Sequence, residues 1–298
     1  MAETLERLRS KIVSATDLLS VVTTMKAISA VNIRHSEKAV EALAEYNRTI
    51  EMGLQILLMN SETTFTGEQE PKDKQFGAII FGSDQGLVGQ FNRVIVNHAL
   101  QEMDQLMIDD QDRIIVVVGI RAAGVLEQAN QRIQEILPVP SSIPHITQML
   151  QEIVLLIESL RQEHGLEHLV LFYNHPTTGV SYKPVSLQLL PINIDWLSRL
   201  KNQKWKSRCL PIFTTDPDKL FSALIRELFL VSMFAAYARS MASENASRLA
   251  TMQVAERNIE ERIEELTNHY HQTRQTAITT EILDIMAGFE ALTGKDVM

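Results

Sequence analysis

The sequence predicts an α/β protein in which a long antiparallel coiled coil of N- and C-terminal helices carries an inserted Rossmann-like α/β head. Three observations lead there. The chain has 298 residues with only 12 Gly and 9 Pro, and every Pro lies between residues 71 and 217, so both ends lack the strongest helix breakers. Apolar side chains recur at both ends in alternating steps of three and four, which is a heptad seam. Between the ends, short β-branched runs alternate with helical segments, the pattern of a sheet covered by helices.

The first seam reads Leu5, Leu8, Ile12, Ala15, Leu19, Val22 and then Ala39, Leu43, Tyr46, Ile50, Leu54, Leu57. Between these blocks its positions turn small or polar at Ser29, Asn32 and Ser36, so the helix is expected to continue while its packing changes. Residues 60–74 are polar, contain Gly67 and Pro71, and read as a loop. Gly77–Gly82, Ile114–Gly119 and Leu169–Tyr173 read as buried parallel strands, and Val185–Leu190 as one more. Helical segments fall near 89–107, 121–129 and 146–163. From Asp216-Pro217 the helical pattern resumes to about Leu292, with a seam at Met252, Ala255, Ile259, Ile263, Leu266, Tyr270, Thr273 and Ala277. The expected division is residues 1–60 for the first helix, 75–195 for the head, and 211–298 for the last helix and its tip.

Helices of about 55 residues are some 80 Å long at 1.5 Å per residue. A compact chain of this size is only about 50 Å across, so such helices are expected to project. Near the end, Ala277, Ile278, Ile282, Leu283, Ile285, Met286, Phe289 and Leu292 are apolar on more than one helical face. One partner helix cannot cover them, and a further apolar surface outside this chain is expected.

Composition narrows the function. A net charge of −9 and a 22% charged, 45% hydrophobic composition fit a folded protein and argue against a general nucleic-acid binder. The single cysteine, Cys209, excludes an internal disulfide. The N-terminus has no signal-peptide core, and with no run of 18 uncharged apolar residues, no bilayer span is expected. No cofactor or metal site is expected either. His164 and His168 flank the helix-ending Gly165, while His269 and His271 face different sides of a helix. The strongest catalytic lead is Gly82-Ser83-Asp84-Gln85-Gly86-Leu87-Val88-Gly89, a strand-to-helix turn that could cradle phosphate, although it lacks the spacing and Lys-Ser/Thr of a P-loop. An enzyme handling a nucleotide or phosphate there, with the helices as an oligomerisation stalk, is the alternative reading.

The most specific text lies near the C-terminus. Ser243, Glu244, Arg248 and Met252 resemble a Ser-Glu-x-x-x-Arg-x-x-x-Met signature, followed by Tyr270, Arg274, Gln275, Ile278, Thr279 and Glu281 in Tyr-x-x-x-Arg-Gln-x-x-Ile-Thr-x-Glu. Met25-Lys26 resembles an Ala-Met-Lys stretch, and Asp84 to Asn92 resembles an Asp-Arg-Gly-Leu-Cys-Gly-Gly-Phe-Asn turn. In this order they resemble the gamma subunits of F-type rotary ATP synthases, with the pattern of a divergent bacterial member.

That resemblance implies a non-catalytic central rotor stalk, one copy per complex, that couples ion flow through a membrane rotor ring to conformational change in catalytic beta subunits. Its implied partners are the alpha and beta subunits of the hexamer, the epsilon subunit and the ring. Its implied place is the cytoplasmic face of the cell inner membrane, as a peripheral protein. The resemblance assigns beta-subunit contacts to Met25, Lys26, Glu244, Arg248, Arg274, Gln275, Thr279 and Glu281. Ile278, Ile282, Ile285, Met286, Phe289 and Leu292 become a tip turning inside an apolar sleeve. The stretches flanking Met25-Lys26 add no charge, which implies weaker attraction to acidic beta levers, and Pro211-Ile212-Phe213-Thr214 departs from the usual foot segment.

Overall fold

In the computed structural model, residues 4–60, 75–140, 143–177, 181–205, 209 and 211–293 are described, with the side chains of 143, 144, 164 and 290–293 left aside. The expected loop after Asn60 and the side chain of Leu292 therefore lie outside the described residues. The chain packs as two compact units, one of Met1–Ile28 with Leu249–Met298 and one of Ser29–Arg248.

Helix α1 runs over Leu5–Asn60 and the last helix, α6, over Pro217–Thr293. Asp216 opens α6: its carboxylate accepts the backbone N–H groups of Asp218 and Lys219 at 3.0 and 3.2 Å, while Pro217 sits where a helix needs no N–H. Between these helices come β1 (Phe76–Phe81), α2 (Phe91–Gln105), β2 (Arg113–Val118), α3 (Ile120–Gln128), β3 (Ile133–Leu137), α4 (Ile143–His164), β4 (His168–Pro176), β5 (Tyr182–Leu190) and α5 (Ile194–Asn202).

The sheet order is β3-β2-β1-β4-β5. Strands β1, β2, β3 and β4 are parallel, whereas β5 runs antiparallel to β4. The sheet is thus mixed: the short connection from β4 to β5 makes a hairpin, where a parallel return would need a crossover. Every residue of β1 is buried, as its unbroken apolar run requires of a central strand. Alternate side chains divide the core. Ile80, Val117 and Phe172 pack with Ile95 and Val96 of α2 and Leu126 of α3. On the opposite face, Phe81, Val118 and Leu171 pack with Ile153 of α4 and Met233 and Tyr237 of α6. A third core joins Leu54 and Leu58 of α1 to Leu197 of α5 and Ile225 of α6.

In the unit of Met1–Ile28 and Leu249–Met298, the expected seam is the less exposed side of each helix. Leu8, Met252 and Leu266 are buried, and Leu5, Ile12, Ala15, Leu19, Val22, Ala255, Ile259, Ile263, Tyr270 and Thr273 are half-buried. Farther along α1, in the other unit, Ser29 and Ser36 are fully covered, so the polar seam positions are packed. Two positions differ from expectation. Tyr46 is exposed and its neighbour Asn47 takes the inner place, the Tyr46 hydroxyl instead donating to Glu227 at 2.6 Å. Ala277 is exposed as well.

By length and composition, α1 and α6 each hold a window apolar enough to cross a membrane, with mean hydropathies of 1.3 and 1.6, which narrows the expectation that none does. A helix with apolar side chains on two faces passes the same test without entering a bilayer. In α1 the exposed Val13, Val21 and Ile28 lie opposite the seam, at about 100° per residue.

Candidate contact surfaces

Within the unit of the chain ends, α1 and α6 are tied by polar contacts as well as by the seam. The Lys26 ammonium meets the Glu256 carboxylate at 2.5 Å, and the Thr23 hydroxyl donates to the same carboxylate at 3.4 Å. The hydrogen bond from Lys26 is the main reason the Glu256 carboxyl is held below its ordinary value. Met25 and Lys26 are half-buried.

These pairs also fix where α1 stops covering α6. With Lys26 opposite Glu256 in an antiparallel pair, Leu5 falls opposite about residue 277, so α6 beyond that point has no α1 residue facing it. Burial follows this geometry. Thr273 is the last half-buried residue, and everything described from Arg274 to Phe289 is exposed. Arg274, Gln275, Thr279 and Glu281 therefore lie open on the helix surface, where the Thr279 hydroxyl donates back to the Gln275 carbonyl at 2.9 Å. Ile278, Ile282, Ile285, Met286 and Phe289 are 47–68% exposed. At 100° per residue, Ile278, Ile282, Ile285 and Phe289 share a stripe about 60° wide, which Met286 and Leu283 extend to about 160°.

The signature stretch of α6 behaves oppositely. Ala242 through Arg248 are all buried, seven consecutive residues and hence every side of the helix. The Arg248 guanidinium donates to the Glu244 carboxylate at 2.6 Å, with both residues 8% exposed. Asn245 accepts from Arg248 and from Asn32 of α1, each at 3.4 Å. The Ser243 hydroxyl donates to the carbonyl of Asn174 in β4 at 3.0 Å, and the Ser247 hydroxyl to the carbonyl of Val88 at 2.6 Å. Burial raises the Glu244 carboxyl above its ordinary value; Arg248 opposes that shift and Asp84 adds to it. The chain itself covers Glu244 and Arg248, the pair that the resemblance assigns to a beta-subunit contact.

The turn after β1 is tied to the start of α3 through its own carboxylate. The Asp84 carboxylate accepts the N–H of Ile120 at the start of α3 and the N–H of Val139, both at 2.9 Å. The position an external anion would take at that helix N-terminus is filled by the chain's own carboxylate. Asn92 accepts from the Ser83 N–H and donates to the Ser83 hydroxyl, both at 2.9 Å. Gly119 permits this closeness: its φ is +109°, and a Cβ there would lie 2.6 Å from the Ser83 nitrogen.

One surface on this turn escaped the sequence reading. Leu87 holds a left-handed φ of +62° and is 58% exposed, and Ile120 is 63% exposed. Both line a groove of about 830 Å3 together with the exposed side chains of Arg93 and Arg121. A left-handed Leu is a costly way to present an apolar side chain to water. Its only sequence signal is an apolar pair, Leu87-Val88, inside a polar turn.

The described residues thus combine two long terminal helices, one with an exposed apolar end, and a mixed five-stranded sheet. A family model described as ATP synthase matches residues 4–292. The chain is 24% identical to the ATP synthase gamma chain of Acetivibrio thermocellus, covering 96% of this chain and 97% of that one. It is 27% identical to the ATP synthase gamma chain of Ehrlichia ruminantium, covering 90% and 91%. Its fold matches a chain in the cryo-EM structure of the Euglena gracilis mitochondrial ATP synthase OSCP/F1/c-ring, at a TM-score of 0.66 and 17% identity over 99% of this chain and 96% of that one. The chain belongs to the ATP synthase family, among its gamma subunits. It is the central-stalk subunit of the rotor and not itself the catalyst.

Proposed function

We propose that the chain works as a single copy, its α6 tip seated in the apolar sleeve of three alpha and three beta subunits and its head region meeting the epsilon subunit and the membrane rotor ring. On this reading it is a peripheral protein of the cytoplasmic face of the inner membrane. The uncovered apolar end of α6 carries the proposal. Six large apolar side chains, Ile278, Ile282, Leu283, Ile285, Met286 and Phe289, on a stretch with no α1 residue opposite call for a surface from another chain.

Coupling follows from asymmetry. A shaft whose sides differ offers each catalytic subunit a different contact as it turns, and a subunit with open and closed states is biased by the difference in contact energy between them. Arg274, Gln275, Thr279 and Glu281 are the polar residues on the exposed stretch that would make such contacts, and Met25 and Lys26 offer a half-buried contact on α1. The Leu87 and Ile120 patch, flanked by Arg93 and Arg121, suits an acidic, partly apolar segment of a neighbour.

The test is co-expression with alpha and beta subunits. Deleting residues 277–298 should release the chain from the hexamer while circular dichroism of the purified chain keeps the head signal. Loss of the folded head on deletion would contradict the placement of the tip. Replacing Gln275 and Thr279 together with Ala should lower coupled turnover in an assembled complex; unchanged coupling would remove them from the contact set.

A further inference from the structure

A cleft of about 550 Å3 opens between α4, the end of β5 and the first turns of α6. Its walls are apolar: Val154 and Ile157 from α4, Leu190 from β5, and Ile225, Phe229 and Met233 from α6. Its charged groups are Glu158, Arg161 and Arg226. Glu158 and Arg226 pair with each other at 3.5 Å, so their charges offset. Arg161 is exposed and makes no ion pair or hydrogen bond among the described residues. The cleft thus combines an apolar interior with one uncompensated guanidinium, and its size is that of a small-molecule site rather than a hole left by one side chain.

We infer that this cleft binds a single-chain amphiphile with an anionic head, of the fatty carboxylate class, its tail against the half-buried Ile157, Phe221 and Phe229 and its head on Arg161. Charge complementarity selects the class. A guanidinium recognises a carboxylate through paired hydrogen bonds, gives a neutral alcohol no ionic partner, and repels an amine. The inference stands apart from the rotor reading, because it concerns the full chain alone.

Calorimetric titration of the full chain with dodecanoate, below its micelle concentration, tests it. The expected result is one saturable site. Dodecanol should bind about tenfold more weakly, as should dodecanoate to Arg161→Gln, because each removes the charge-assisted bonds. Dodecylamine should not compete. Val154→Phe narrows the interior and should abolish binding with the circular dichroism unchanged; if that variant misfolds, the surface variant Arg161→Gln still decides. Absent saturation, or equal binding by wild type and Arg161→Gln, would overturn the proposal. So would a free chain that binds nothing while the cleft is shielded in the assembled synthase, since a protein neighbour would then be its occupant.

Discussion

Two stretches of the same helix invert the usual relation between polarity and burial. Ala242–Arg248 contains Ser, Glu, Asn and Arg and is covered on all sides by its own chain. Ile278–Phe289 contains Ile, Leu, Met and Phe and is exposed on all sides. The difference lies in who supplies the partners. In the first stretch Ser243, Asn245, Ser247 and the Glu244–Arg248 pair all find hydrogen bonds inside the chain, which is the condition under which polar groups can be buried. In the second, α1 has ended, and the described residues from Arg274 to Phe289 are all exposed. Polarity therefore does not say which part of a rotor helix touches a neighbour; the extent of the opposing helix does.

The largest effect that would break this contrast is removal of one member of the buried pair. Glu244→Ala leaves the Arg248 guanidinium buried without its counter-charge, and a loss of about 3–5 kcal/mol is expected in denaturant unfolding of the full chain. A loss below about 1 kcal/mol would mean that the stretch opens to water. Replacing both partners, as in Glu244→Gln with Arg248→Met, should cost clearly less than Glu244→Ala alone, because no unpaired charge remains. Ser247→Ala should cost about 1–2 kcal/mol by leaving the Val88 carbonyl without that donor.

Next in size is the pH response, where the two ion pairs should differ in sign. The buried Glu244 carboxyl has a folded value above its ordinary 4.5. Its contribution to stability is complete below that ordinary value and lost as pH rises through the folded value, so acidification should favour the wild type over Glu244→Gln. Glu256 is shifted down by Lys26. Its contribution is present above the ordinary value and is lost as pH falls through the folded value, so acidification should narrow the advantage of wild type over Glu256→Gln. Matching pH profiles for the two variants would show that both carboxyls share one environment. Smallest of all, Ile285→Ser in the free chain should move the unfolding midpoint by less than about 0.5 kcal/mol, since an exposed side chain loses little.

How much of this was legible in the sequence depended on whether a signal was local. The seam from Leu5 to Val22, the helix start at Pro217 and the buried runs of β1, β2 and β4 rest on periodicity and composition, and the structure places them as read. Strand β3 was missed because it is an edge: Gln134 and Glu135 break its apolar run, and its interior positions are exposed. Helix α5, only nine residues long, was missed too, although Asn193 caps it by accepting the Trp196 N–H at 2.9 Å. The direction of β5 and the one-residue offset at Tyr46 depend on tertiary neighbours. The inward placement of Glu244 and Arg248 was invisible for the same reason. Their spacing of four puts them on one helix face but does not say whether that face meets this chain or another.

Thiol accessibility tests the central claim most directly. In a Cys209→Ser background, Ile285→Cys and Ala246→Cys would each be labelled with a maleimide, first in the free chain and then in the complex with alpha and beta subunits. The account predicts that Cys at 285 reacts rapidly in the free chain and becomes protected on assembly, while Cys at 246 is protected in both. A thiol at 285 that stays equally reactive in the assembled complex would contradict it.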